Sequence, residues 1–405
     1  MLQAQVPAVN RAQRNGQMVS TRLPEARPRR MLPAMLLRER CGHPDPSGRG
    51  GPRSAPVHSC ATFALAHGST LVVGHNLDEY IELPGLIVVN SRGLAKRNIT
   101  FRDLVWPFRL RPPPRLDWVS RYGSVTYNTF GREFPDGGMN EAGLYVGEMT
   151  LLSTVWPRDP RLPRMYHHQW MQYLLDNFAT VEEALGSLST ALPEGHCRWH
   201  FFLADKGGDA AVVEFLEQGP VVHTGPTLPY KILCNARYDA ELQDLRNYIG
   251  FGGTKAPEPR YEKEDPRFRW AATMLRDYTG AVAPAEYALA ILDRMDLGNR
   301  KWVIVCDIPN ARMYVRTSLA PKLRWVEFAP LDFGCSRFPQ ALDIQRDMEG
   351  DVTDQFSALT ADWNRDAIGQ AWAEIDTGFL GNLLVKPRMV SALAKAPAGF
   401  SCAKA

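Results

Sequence analysis

"HSCATFALAHGSTLVVGHNLDEY", residues 58–80, holds two short apolar runs, CATFALA and TLVVGHN, on either side of the turn HGS. Such runs around a glycine-containing turn read as a β-hairpin. Antiparallel pairing brings the end of the second strand back beside the start of the first, so Asn76 and Asp78 return next to Cys60. A cysteine therefore opens the first well-patterned element of the chain, and the 59 residues ahead of it carry no sustained hydrophobic period.

That leading segment is rich in Arg, Pro, Gly and Ala, and "HPDPSGRGGPRSAP" cannot sustain a helix or a strand. It holds ten arginines, no lysine and three acids, a net of +7; the rest of the chain, with 37 basic and 41 acidic residues, carries −4. "MLPAMLL", residues 31–37, is too short, too late and too closely followed by Arg-Glu-Arg for a secretory signal peptide. Residues 1–59 read as a leader that is removed or disordered, and 60–405 as the working domain. An organellar transit segment or a mis-assigned start codon fits the same composition, and a cytoplasmic or a periplasmic location stays open. The mildly acidic body excludes a basic nucleic-acid surface. No apolar stretch approaches a membrane span.

The chain has 405 residues, enough for one large domain or two ordinary ones, and an ordinary 45% hydrophobic content. "RWHFFLADKGGDAAVVEFLEQGPVVHTG" (198–225) reads as a three-strand meander and "KWVIVCDIPNARMYVRT" (301–317) as a hairpin. Helical stripes run over 165–178, 180–192, 267–279 and 284–296; Thr180 with Glu183 forms a capping box, and Pro284 opens the last. The proline-rich stretch 106–118 is expected as a surface loop. Alternating groups of strands and helices argue for an α+β protein with antiparallel sheets covered by helices. Seven widely spaced cysteines do not make a disulfide framework. Cys234 and Cys306 are expected as core thiols and Cys402 as an inert tail residue.

Three residues suggest chemistry. Cys60 can be a half-buried strand cysteine, or a nucleophile if something activates it. No CxxC pair and no catalytic histidine lies near it in sequence. Cleavage of the peptide bond before Cys60 would free its own α-amine, a base with a pKa of roughly 8. Asp78 could hold that amine in place, or serve only a strand-end turn. Asn235, in "CNARYDAEL", could donate its amide to an oxyanion, or simply cap a helix. A rival reading takes Cys41, His43, His58 and Cys60 as zinc ligands, although the one-residue spacing is tight. His167 and His168 are adjacent and read as one surface and one core residue rather than as metal ligands.

Taken together, the hairpin with "DGGMNEAGLYVGEMTL" (136–151), "FFLADKGGDAAVVEF" (201–215), "ILCNARYDAELQDLRNY" (232–248) and "PRFRWAATMLRDY" (266–278) resembles the choloylglycine hydrolase/penicillin V acylase family of linear amide C–N hydrolases. The motifs span roughly 60–350, in order. The resemblance implies an αββα sandwich of the N-terminal-nucleophile type, removal of everything before the cysteine, and no cofactor. It implies a small N-acyl amide as substrate and a possible homo-oligomer. By position it makes Cys60 the nucleophile, Asp78 the orienting acid, Asn235 the side-chain oxyanion donor and Arg267 the site arginine, with Arg269 as the alternative. A related acyltransferase would share this chemistry. Two departures stand out. His75 in "GHNLD" occupies the place of a family arginine, and would supply less positive charge to the thiol. "GEMTL" replaces the bile-salt branch's "GLNF", which puts Thr150 at the second oxyanion position, where a backbone N–H donates.

Overall fold

The computed structural model describes residues 60–68, 70–106, 114–256, 265–336 and 339–403. Residues 1–59, read above as a leader and holding Cys41, His43 and His58, lie outside them, as do 107–113 of the expected proline-rich loop.

The opening stretch forms the expected hairpin, β1 (Ala61–His67) and β2 (Thr70–Asp78), with Ala61 opposite Asn76. Gly74 is required there: a Cβ would lie 2.5 Å from the Phe63 ring, which packs across the strand. Five more strands extend this hairpin into the first sheet: β10 (Ile232–Leu233), β11 (Arg300–Asp307), β12 (Arg312–Thr317), β13 (Arg324–Glu327) and β15 (Gly350–Asp351). Their order is β10-β1-β2-β11-β12-β13-β15. All neighbours are antiparallel except β13 and β15.

The second sheet has nine strands: β3 (Leu86–Asn90), β4 (Ser124–Asn128), β5 (Gly137–Asn140), β6 (Tyr145–Thr150), β7 (Trp199–Ala204), β8 (Ala210–Leu216), β9 (Gly219–Thr224), β14 (Gln340–Asp343) and β16 (Ser357–Ala358). It runs β9-β8-β7-β6-β5-β4-β3-β14-β16. The expected meander is β7 to β9, and the expected second hairpin is β11 with β12.

Strand alternation sorts the side chains into layers. Tyr145 and Met149 of β6 join Val73, Leu77 and Ile304 in the core between the sheets. Val146, Phe201 and Val213 face outward, onto α1 (His167–Asn177) and α2 (Val181–Gly186). On the far side of the first sheet, α3 (Tyr238–Leu245), α4 (Arg267–Asp277) and α5 (Pro284–Arg294) bury Tyr238, Phe268, Ala272, Ile291 and Leu292. The layers are therefore helix, sheet, sheet, helix. A further pair, α6 (Ala361–Glu374) and α7 (Lys386–Lys395), packs Trp372 and Met389 against Phe130 and Phe134.

Four expectations are corrected. The helix expected over 180–192 ends at Gly186; a 3₁₀ turn follows, and Leu192–Glu194 is extended. Asp117 and Trp118, expected in the surface loop, open the strand Asp117–Val119, which pairs antiparallel with Leu94–Arg97 at the edge of a small three-stranded sheet. Cys402 is bonded to Cys335, so the tail is tethered, and Cys197 is disulfide-bonded as well. His167 and His168 are both buried, because α1 lies with its first turn under Trp199. Cys234 and Cys306 are buried free thiols, as expected.

Candidate active site

Cys60 precedes β1 and is only 4% exposed. Burial pushes its thiol pKa well up, and the Glu148 and Asp78 carboxylates add to that; a hydrogen bond from the Asp78 backbone opposes it. Such a thiol stays protonated at neutral pH and needs a base before it can attack.

Asp78 closes β2, one step past the residue facing Cys60 in the hairpin register. It is fully buried, and burial outweighs its neighbour Arg267 to raise the carboxyl pKa to about 7. Arg267 opens α4 and is itself fully buried. Its Nη1 donates to the Cys60 carbonyl oxygen at 3.1 Å and to Asp78 Oδ2 at 3.3 Å. Its Nη2 donates to Asn235 Oδ1 at 3.0 Å. One guanidinium therefore joins three residues that are far apart in sequence.

Asn235 follows β10 and is half-buried. With its oxygen held by Arg267, its Nδ2 donates to the Thr150 carbonyl oxygen at 2.9 Å. Leu151 N–H donates to the Arg198 carbonyl oxygen, so the ladder's alternation turns both N–H and C=O of Thr150 to the other edge of β6. That edge extends past the last β5–β6 pair, Gly137 with Gly147. The Thr150 N–H and the Asn235 amide thus converge on one place.

His75 shares a face of the hairpin with Cys60 but has its own partners. Its Nδ1 is 2.6 Å from Thr62 Oγ1, its ring packs on Tyr127, and burial drops its pKa to about 3. At that pKa the imidazole is neutral near pH 7. Arg269 stacks instead on Tyr248, its guanidinium 3.9 Å from the ring centroid.

Two residues escaped the sequence reading. Asp265 accepts from Arg267 Nε at 2.9 and 3.1 Å, from the Arg267 backbone N–H at 3.0 Å, and from Nη2. Its only signal was an acid-proline pair before a helix, the ordinary mark of a helix start. Glu148 is buried on β6 beside the thiol, and its Oε2 has no hydrogen-bond partner among the described residues. A charged residue inside the strand run "YVGEMTL" was its signal. Three possible metal ligands cluster elsewhere among the described residues, His167, His196 and Cys197. With Cys197 disulfide-bonded, two imidazoles remain.

The family model of linear amide C–N hydrolases, choloylglycine hydrolase family, matches residues 60–265. Penicillin V acylase of Pectobacterium atrosepticum is 24% identical over 269 residues, which cover 54% of this chain and 69% of that protein. Among solved structures, penicillin V acylase from Agrobacterium tumefaciens superposes with a TM-score of 0.62 at 21% identity, over 74% of this chain and 98% of that one. A variant of the conjugated bile acid hydrolase from Clostridium perfringens gives 0.56 at 15% identity, over 72% and 98%. The match starts at Cys60 and covers the hairpin, the β6 edge and Asn235, and the chain belongs to the choloylglycine hydrolase family of linear amide C–N hydrolases.

Proposed function

We propose that this protein hydrolyses a small N-acyl amide, with Cys60 as an N-terminal nucleophile freed by removal of residues 1–59. The reading rests on the Arg267 guanidinium, which touches the Cys60 carbonyl, Asp78 and Asn235 at once. A freed α-ammonium at Cys60 would give Asp78 a second cationic partner, and Asp78 would hold the amine against the thiol.

In the reaction, the neutral α-amine takes the thiol proton as sulfur attacks the amide carbonyl carbon. The Asn235 Nδ2 amide, which has a second N–H besides the one on the Thr150 carbonyl, and the Thr150 N–H donate to the oxyanion. The C–N bond then breaks and the amine leaves with the proton from the α-ammonium. Water, deprotonated by the α-amine, hydrolyses the thioester and releases the acid. The apolar acyl chain distinguishes the substrate class, which includes penicillin V, N-acyl amino acids and acyl homoserine lactones. No cofactor enters these steps.

Intact-mass measurement and N-terminal sequencing test the first step: the mature chain begins at Cys60, and Cys60→Ala stays full length. A panel of acyl amides then tests the second. A stable full-length protein with stoichiometric zinc and no amidase activity overturns the reading in favour of the Cys41, His43, His58, Cys60 site. Acyl transfer to an added amine in preference to water makes the enzyme an acyltransferase.

A further inference from the structure

We propose that Asp265 is a positioning residue, which locks the Arg267 guanidinium so that Nη1 faces Cys60 and Asp78 while Nη2 holds Asn235. This inference rests on the reading of Cys60, Asp78 and Asn235 as the reacting group.

A guanidinium has five N–H donors in one rigid plane, and whichever edge is fixed decides where the other edge points. Asp265 takes the Nε edge. It accepts from Nε at 2.9 and 3.1 Å and also from Nη2, while its Oδ1 accepts from the Arg267 backbone N–H at 3.0 Å. Backbone and side chain of Arg267 are thus both anchored to one carboxylate. Nη1 and Nη2 reach the site at 3.0 to 3.3 Å. Asn235 depends on this anchoring. Its oxygen is held by Nη2, and that choice of amide orientation aims Nδ2 at Thr150.

Asp265 also divides the charge. Arg267 is fully buried, and its closest carboxylate is Asp265 rather than Asp78, which meets it through a single 3.3 Å contact. Asp265 is held below its ordinary pKa by Arg267, although burial opposes this, while Asp78 is raised. The groups acting on Asp78 are Arg267 and Asp265 from the α4 end, Asp296 after α5, and Arg300 on β11. The Cys60 thiol stands across the hairpin. Removing the Asp265 charge frees Arg267 to turn toward Asp78 and lowers the pH at which Asp78 and the α-amine lose their protons.

The test compares wild type, Asp265→Asn and Asp265→Glu as mature enzymes on an acyl amide that wild type hydrolyses. In Asp265→Asn, kcat falls about 10- to 100-fold with KM nearly unchanged, and the acid limb of kcat/KM moves down by about one pH unit. Asp265→Glu restores the limb. An unmoved limb, or a wild-type kcat in Asp265→Asn, overturns the proposal. A second readout needs no activity: crystal structures of Cys60→Ala with and without Asp265→Asn. The proposal expects Arg267 to swing toward Asp78 and release Asn235; an unmoved guanidinium overturns it. An inactive wild type with a displaced guanidinium would sink the amidase reading and leave the positioning role standing.

Discussion

Asn235 is held at both ends of its amide, by Arg267 at 3.0 Å and by the Thr150 carbonyl at 2.9 Å. A donor fixed in this way pays little reorganisation when an oxyanion forms. Asn235→Ala should therefore lower kcat by about 10²–10³ while KM changes only a few-fold, read from steady-state kinetics on the best amide. Its half-buried position argues against a folding defect, and circular dichroism checks that. His75 offers the opposite case. It is fully buried and neutral, against Thr62 and the Tyr127 ring. His75→Arg, which puts the family's residue here, should lower stability by several kcal/mol in a urea titration, because no carboxylate pairs with His75 among the described residues. A variant as stable as wild type would show that a counter-charge reaches the site. At this scale Cys60, Asp78 and Asn235 drew attention because each ends or opens a patterned element, and Arg267, with Arg269 as its alternative, only through the family resemblance; the contacts that join the four appear in the structure alone. Asp265 drew none: its role depends on a contact with a side chain two residues later, and a local acid-proline pair has a commoner explanation.

The elements were legible where period and turn agreed. The hairpin from Ala61 to Asp78 and the meander from Trp199 to Thr224 both needed only alternation and a glycine turn. The stretch 180–192 misled because Thr180 and Glu183 do cap a helix, with Glu183 N–H donating to Thr180 Oγ1 at 3.2 Å, but nothing local says where it stops. Leu192 leaves the helical path to pair with Arg164 in a short parallel strand, a tertiary choice. The tail is a second such choice. Ser401–Cys402 pairs with Leu94 and Ala95, and the Cys335–Cys402 bond spans 67 residues. Pairing at that distance leaves no trace in a small-residue run. Closing so long a loop restricts the unfolded chain, so Cys402→Ala should lower stability by about 2–4 kcal/mol. The change should appear in non-reducing urea denaturation, with kcat unaltered. An unchanged midpoint would mean that strand pairing alone holds the tail.

Across the whole molecule, the αββα layers place an unusual set of titratable groups out of water. Burial raises Asp78 and Asp136 to about 7, raises Glu241 to about 8 and lifts Glu148 well above its ordinary value. Burial also lowers His75 and His168 to about 3, His196 to about 4, and His167 well below the usual imidazole range. The two sets act on stability with opposite signs. A carboxyl with a raised folded pKa binds its proton more tightly in the folded chain, so its contribution is lost as pH rises through that pKa. A histidine with a depressed folded pKa is protonated first in the unfolded chain, so stability falls as pH drops below about 6.5. Between about pH 5 and 6 the two sets oppose each other. Above pH 7 the unfolded histidines have largely lost their protons, and the carboxyls, with a smaller share from the buried Cys234 and Cys306 thiols, still differ between the two states. Stability should then fall from pH 7 to pH 8, by on the order of 2 kcal/mol. The measurement is urea unfolding of the Cys60→Ala chain at both values, since that variant keeps a freed α-amine away from Asp78. Glu148→Gln, which cannot ionise, should make the fall shallower; an equal or steeper fall would mean that Glu148 is already paired or hydrated in solution.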